Sequence, residues 1–565
     1  MADTQPAAAA PPPPPRRVRT VLSLLLPLLS IASLLVLLLG AAVGGAAWLL
    51  TTEGGTQWLL QRLPGVQVKN FQGALLGGRW QADSVRVEWA GGTQWALVEK
   101  LSLEGLQWQL LPHEHAWIAL QVQKLSAAKV TVQPGPPSQT APQLPPQIRP
   151  PVQLALGVAS VDELLIQGQQ PLRQLALQGL AFDPRPNASH AVQRFGFEGF
   201  TLAVAGSLRI ANAAPYALQA DATLRPQRDP EAPLWAAAVK AGGSLADLDL
   251  AATLRGRPLP GRDAPQADVR AGLRPLQAWP LVRLDARTEA LDLSALLAKA
   301  PQTRLSGQAV LGGGADKQPL VAKVEIDNGL PGRWNERRLP LAKLALELKG
   351  QLDRPDLVEL SRFDATLADA MRGAGRIRGT AVWQGHDVAL ELTLDQVTPQ
   401  RLDGRAAAMT LSGPIAASIT GVPALVPQKE NPPPGIQWTL DLKGQLDKAQ
   451  QAVQLMIEGS ANDGALELKK VRAESGAAVA ELTASVARAG SSDWRLQTRG
   501  QLSNFDPLPW WPGEAASAWR KGPHRASGEW QFDVRLPGDA DKLPFLTLAQ
   551  RVAGNGQLKV HDAQL

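Results

Sequence analysis

The chain contains no cysteine. That removes disulfides and thiolate metal centres, although it leaves the compartment open. Tyrosine occurs once and phenylalanine 9 times in 565 residues, against 17 tryptophans. No Lys/Arg block occurs beyond residue 19. The clustered basic and aromatic surface of a nucleic-acid binder is therefore missing, and no nucleic-acid partner is expected. Net charge is +6, from 57 Lys and Arg and 51 Asp and Glu, scattered singly. There is no P-loop and no Gly-x-Ser-x-Gly nucleophile elbow. His113-Glu114-His115 puts two imidazoles on one strand face, but it lacks the helical His-Glu-x-x-His frame and an evident third ligand. A surface turn after Pro112 accounts for it. The glycines from Gly373 to Gly379 miss the dinucleotide fingerprint by one residue and open no helix. Asn187-Ala188-Ser189 fits a glycosylation sequon, which has no bearing in a bacterial host. Catalysis, metal and cofactor are not expected.

What is present begins with a low-complexity tail, MADTQPAAAAPPPPP, followed by Arg16, Arg17 and Arg19. From Thr20 to Thr52 the chain is uncharged and dominated by Leu, Ala and Val. A bilayer needs ~20 such residues, whereas a cleavable signal peptide has an apolar core of only ~7–15. A signal-anchor helix over 20–50 is the reading, with cleavage near Gly40–Ala47 as the alternative. Pro27 is tolerated in a membrane helix. The three arginines put residues 1–19 in the cytoplasm by the positive-inside rule, and the body beyond residue 50 on the far side. Trp48 and Trp58 are candidate interface anchors. Trp80, Trp89, Trp95, Trp108 and Trp117 fit either that role or a small β core.

The body alternates apolar and polar residues. Val85, Val87 and Trp89 form one series. Others are Leu344, Leu346 and Leu348; Val388, Leu390, Leu392 and Leu394; Trp438, Leu440 and Leu442; and Val453, Leu455 and Ile457. Period two gives each strand one apolar and one wet face. Frequent turn residues predict antiparallel meanders. Helix is expected only at Leu293–Lys299 and, weakly, at Leu357–Met371. A Pro-rich stretch, 134–151, reads as an extended spacer between a first β module at 51–133 and a repetitive region at 152–565. Gly-Gln-Leu recurs at Gly350, Gly444, Gly500 and Gly556. Related glycine-centred strands surround Gly206, Gly307, Gly413 and Gly528. Glycine within a strand marks a bulge or bend, so the fold class expected is all-β: an elongated, repetitive, mostly antiparallel sheet curled into an open groove. At ~14 residues per strand and ~4.8 Å per strand it would run on the order of 170 Å. Closed β-sandwiches are the competing packing for the same strands.

Three passages support a family resemblance. The apolar segment is followed by TTEGGTQWLLQRLPGVQVKNFQGALLGGRWQADSVRVEW (Thr51–Trp89). The Pro-rich stretch is followed by PVQLALGVASVDELLIQG (Pro151–Gly168). NFDPLPWWPG (Asn504–Gly513) precedes a Ser-Gly strand. In this order they resemble the N-terminal part of the TamB-type members of the AsmA-like, bridge-like lipid-transfer family of envelope proteins. The resemblance implies a β-groove anchored in the inner membrane and reaching across the periplasm. It implies partnership with the outer-membrane barrel TamA, support of barrel-protein and autotransporter assembly, and transfer of phospholipid. Family members are longer, so the chain is expected to be a fragment lacking the C-terminal domain that engages TamA.

The expected groove lining is Leu344, Leu346, Leu348, Leu390, Leu392, Leu440, Leu442, Val453, Leu455 and Ile457, which would hold acyl chains while head groups stay in water. A structural or adhesive scaffold with the same strands is the alternative. A periplasmic adaptor of a pump would need a long heptad hairpin, and none is present.

Overall fold

The computed structural model describes residues 48–113, 116–135, 146–149, 152–227, 234–258, 263–277, 279–297, 299–314, 318–351, 353–423, 432–447, 450–489, 493–508, 510, 524–538, 547 and 550–564. Arg16, Arg17, Arg19 and the expected span lie outside these residues, except for Trp48–Leu50, which are helical. Among the described residues no helix is long and apolar enough to cross a membrane. The body is all-β, and its strands fall into two compact units, one drawn from Met1–Gly135 and Val152–Pro171, the other from Pro136–Pro151 and Leu172–Leu565.

In the first unit a helix, Glu53–Leu60, is capped by Thr52, whose side chain accepts from the Gly55 amide at 3.1 Å. Residues 48–50 dock tightly on this helix. Thr56 is fully buried, donates to the Leu49 carbonyl at 3.1 Å and accepts from the Leu75 amide at 3.2 Å. A Cβ on Gly55 would overlap the Trp48 carbonyl oxygen. The Leu76 amide closes the junction on Leu50 O at 2.8 Å. The strand Arg79–Trp89 pairs with Gln94–Glu104, which pairs with Ala116–Gln133.

The strand Val152–Ile166 joins this unit too, lying parallel to Ala116–Gln133 from Ile118 opposite Val152 to Val132 opposite Ile166. The module boundary expected in the Pro-rich stretch is therefore displaced. Parallel neighbours need a long crossover connection, and residues 134–151 supply it, so the strand that follows them belongs with the strand before them.

In the second unit each strand from Ser189–Gly199 onward pairs antiparallel with the next strand in sequence, ending at Ala553–Gln564. The sheet is open: that last strand pairs on one side only among the described residues. The short helix expected near Leu293 is present as Leu293–Leu296. The weak helix expected at Leu357–Met371 is instead the strand Arg354–Ala368. A bulge between Leu360 and Phe363 breaks the alternation there, so the apolar positions 357, 360, 363 and 367 mimic a helical spacing.

The connections at one end of these strands share a construction that repeats. Ala290, Gln396 and Asn504 each have left-handed backbone, φ 50, 50 and 47°. Each amide donates to a serine on the following strand: Ala290 to Ser306 Oγ at 3.1 Å, Gln396 to Ser412 Oγ at 2.8 Å, Asn504 to Ser527 Oγ at 2.9 Å. A register shift accompanies each, next to Leu291, Val397 and Phe505. Glycine follows all three serines. Five whole strands separate one occurrence from the next. The Ser-Gly strands thus mark a structural repeat, whereas Gly-Gln-Leu occurs at differing strand positions.

Left-handed backbone costs a non-glycine residue roughly 1–2 kcal/mol, and the serine bond returns about 1 kcal/mol. Gln396→Gly is therefore expected to raise the melting temperature and Ser412→Ala to lower it, each by a shift equivalent to about 1 kcal/mol. Calorimetry of the two variants beside the parent checks both signs.

Candidate functional site

The registers carry all ten expected lining residues onto one face of the second unit. Leu344, Leu346 and Leu348 lie opposite Ile326, Val324 and Ala322 on one side and Ala365, Phe363 and Leu360 on the other. Leu390 and Leu392 face Ala381 and Gly379, then Ala417 and Ile415. Leu440 pairs with Ile457 and Leu442 with Leu455, and Val453 lies opposite Gly444. The face continues beyond them. One cross-strand row runs Leu208, Ala220, Ala241, Leu250, Ala271, Leu284, Leu311, Ala322 and Leu348 without a polar residue.

Glycines on this face make room for neighbours. A Cβ on Gly444 would overlap the Thr410 carbonyl oxygen, and one on Gly500 would overlap the Trp530 ring. The indole reaches over the adjacent strand, with its Nε1 donating to Thr498 Oγ1 at 3.2 Å.

Cover over the face is uneven. At the strand ends that carry the repeated connections, Leu442 (5% exposed) and Val453 (3%) are buried with Ala407, Met409, Leu411 and Leu446, and Trp510 packs against them. Leu402 of the short helix Pro399–Leu402 packs likewise on Leu367, Ala374 and Val397. These connections are tied to one another. The Gln302 amide donates to Arg337 O at 2.8 Å, and the Gly404 amide to Asn335 Oδ1 at 2.9 Å. Leu344, Leu346, Leu348, Leu390, Leu392, Leu440, Leu455 and Ile457 are half-buried. Towards the opposite ends, where many turns are tight hairpins, the face opens, and Leu466 is 39% exposed.

The reverse face is charged and cross-paired. Arg255 meets Asp268 at 2.9 Å, Lys343 meets Asp327 at 3.0 Å, and Lys559 meets Glu529 at 2.9 Å. A hollow of about 520 Å³ there, lined in part by Arg472, Glu481, Glu529 and Lys559, is crossed by such pairs. Among the described residues no three His, Asp or Glu side chains gather as a metal site. Glu114 and His115 lie outside them. Gly373–Gln384 is a strand, with no helix opening from its glycines. In the first unit, Trp48 and Trp58 are 50% and 44% exposed, and Arg62 stacks 4.0 Å over the Trp58 ring.

Sequence reading missed two features. The covering role of Leu402, Ala407 and Trp510 carries no signal in loops that read as turns. The buried carboxylate Asp364, on the charged face, was also unmarked. Arg376 holds it in two hydrogen bonds, one from Nε at 2.6 Å. These bonds, opposed by burial and reinforced by Arg362, hold the Asp364 carboxyl below the usual carboxylate range. A lowered folded-state pKa stabilises the fold above the unfolded pKa of about 3.9, and that stability is lost as pH falls through the folded value. Asp364→Asn should therefore lower the melting temperature at pH 7, and the gap from the parent should close as the pH drops below about 4. Melting curves across pH 7 to 3 measure this.

Set beside family models, curated proteins and solved structures, the chain matches none.

Proposed function

We propose that the chain is an inner-membrane-anchored, periplasm-spanning component of a translocation and assembly module, of the TamB type within the AsmA-like family. In this reading the second unit's sheet is an open groove. Phospholipid passes along it towards the outer membrane with acyl chains on the apolar face. TamA is the outer-membrane partner of the system, and assembly of barrel proteins and autotransporters is the process served. No catalysis and no cofactor are part of it.

The supporting observation is the apolar face itself. It continues from strand to strand, and only the connections at one end cover it among the described residues. Each methylene moved from water onto such a surface is worth about 0.8 kcal/mol. A two-chain lipid therefore gains much by lying there and needs no reaction to move. Exposed Trp48 and Trp58 fit a membrane–water interface, where indoles favour the boundary. The tight junction at Gly55 would couple an anchor rigidly to the first unit.

A scaffold that binds no lipid is the second reading. Burial of Leu442 and Val453 beneath Met409 and Trp510 favours it locally.

Photocrosslinking amino acids at Leu346 and Leu392, with controls at Lys323 and Glu391 on the charged face, separate the two. Mass spectrometry of the full chain purified from membranes is expected to find phospholipid attached at the first pair alone. Equal labelling at all four, or none, overturns the groove and leaves the scaffold.

A further inference from the structure

The apolar face carries one exception to its composition. Apart from the hairpin tip at Arg354, where a register shift breaks the phase, the paired residues on that face from the strand Leu202–Ala211 to the strand Ala553–Gln564 include one charged side chain among the described residues, Arg488. It follows Leu482, Ala484 and Val486 in alternation and lies opposite Trp494. It stands at the less covered ends of the strands. The next cross-strand row inward is Leu466, Val486, Leu496 and Val534, of which Leu466 is the exposed leucine noted above. Its guanidinium sits over the Trp494 ring, 5.5 Å from the centroid. The Arg488 amide is fixed to Gly464 O at 2.9 Å. No carboxylate pairs with its side chain among the described residues, although most arginines on the charged face have such a partner.

We propose that Arg488, seated on Trp494 where the apolar face opens, binds the phosphate of a phospholipid whose acyl chains lie on the Leu466–Val534 row. This rests on the lipid-groove reading and adds to it the side on which head groups ride. The planar fork of a guanidinium matches two phosphate oxygens, and such charge-assisted bonds are about twice as strong as neutral ones. The indole holds the fork at the boundary between the apolar row and water, and its own preference is for that boundary. At the other ends of the strands Leu402 and Trp510 occupy the face, whereas Arg488 is exposed among the described residues.

The test uses the full chain, delipidated and held in amphipol, and three soluble probes: dihexanoyl phosphatidylglycerol below its micelle concentration, dihexanoylglycerol, and glycerol phosphate. Calorimetric titration of the parent is expected to give measurable binding of the first, weaker binding of the second and none of the third. Arg488→Gln should weaken the phospholipid roughly tenfold or more and leave dihexanoylglycerol unchanged, while Arg488→Lys retains part of the affinity. Trp494→Leu should weaken the phospholipid by a smaller factor. An unchanged melting curve for Arg488→Gln, an exposed position, certifies its fold. Phospholipid binding unaltered by Arg488→Gln overturns the phosphate contact while the groove stands. Glycerol phosphate binding as tightly as the phospholipid overturns it in favour of a free-phosphate site. Binding of neither lipid by the parent overturns the groove and the contact together.

Discussion

The second unit depends on phase. An alternating strand has one apolar side, but a sheet has one only if every register aligns those sides, since a slip of one residue sends a strand's whole apolar set to the other face. Here the registers stay in phase strand after strand. Where a strand needs an extra residue, the shift is absorbed at a bulge, as beside Leu291, Val397 and Phe505, and the phase is recovered on the next strand. The left-handed residues and their serine partners are how that recovery is built. Ser306, Ser412 and Ser527 satisfy the amides of Ala290, Gln396 and Asn504, amides that a regular ladder would otherwise have used.

The same phase separates two kinds of chemistry. Charges collect on one side, where opposite signs meet across strands. The other side is mostly Leu, Val, Ile, Ala and glycine, with aromatic rings such as Trp530 laid over the glycines. The connections then treat the two ends of the strands differently. At one end Ala407 and Trp510 pack with Leu442 and Val453, and Leu402 packs on Leu367 and Val397. At the other, many hairpins are too short to reach over the face, and Leu466 and Arg488 remain accessible. An apolar surface with one sheltered and one open margin follows from loop length.

Much of this was legible in the sequence, and for a plain reason. Alternation at Leu344–Leu348, Leu390–Leu394 and Leu440–Leu442 is a local property, so strands and their apolar sides could be read without a fold. Features that depend on a partner strand could not. The bulge at Leu360–Phe363 disguised a strand as a helix. The Pro-rich stretch looked like a divider because parallel pairing of Val152–Ile166 with Ala116–Gln133 joins residues far apart in the chain. The repeated left-handed positions are an alanine, a glutamine and an asparagine, which share no signature, although the Ser-Gly strands opposite them did stand out. Arg488 could be seen to continue the alternation of Leu482, Ala484 and Val486. Its isolation on the whole face appears only when the registers are laid end to end.

The order of pairing has a consequence for how such a chain acquires its fold. From Ser189–Gly199 onward each strand's partner is the strand made just before it, so most ladders close over a short loop, and loop closure is the slow step that delays β-proteins of complex topology. The sheet can therefore grow by addition at its newest edge while later residues are still being synthesised, much as a zip closes from one end. One strand is exempt. Val152–Ile166 must wait for the long crossover at 134–151 to fold back on Ala116–Gln133, and that single non-local step is where assembly of the first unit would stall.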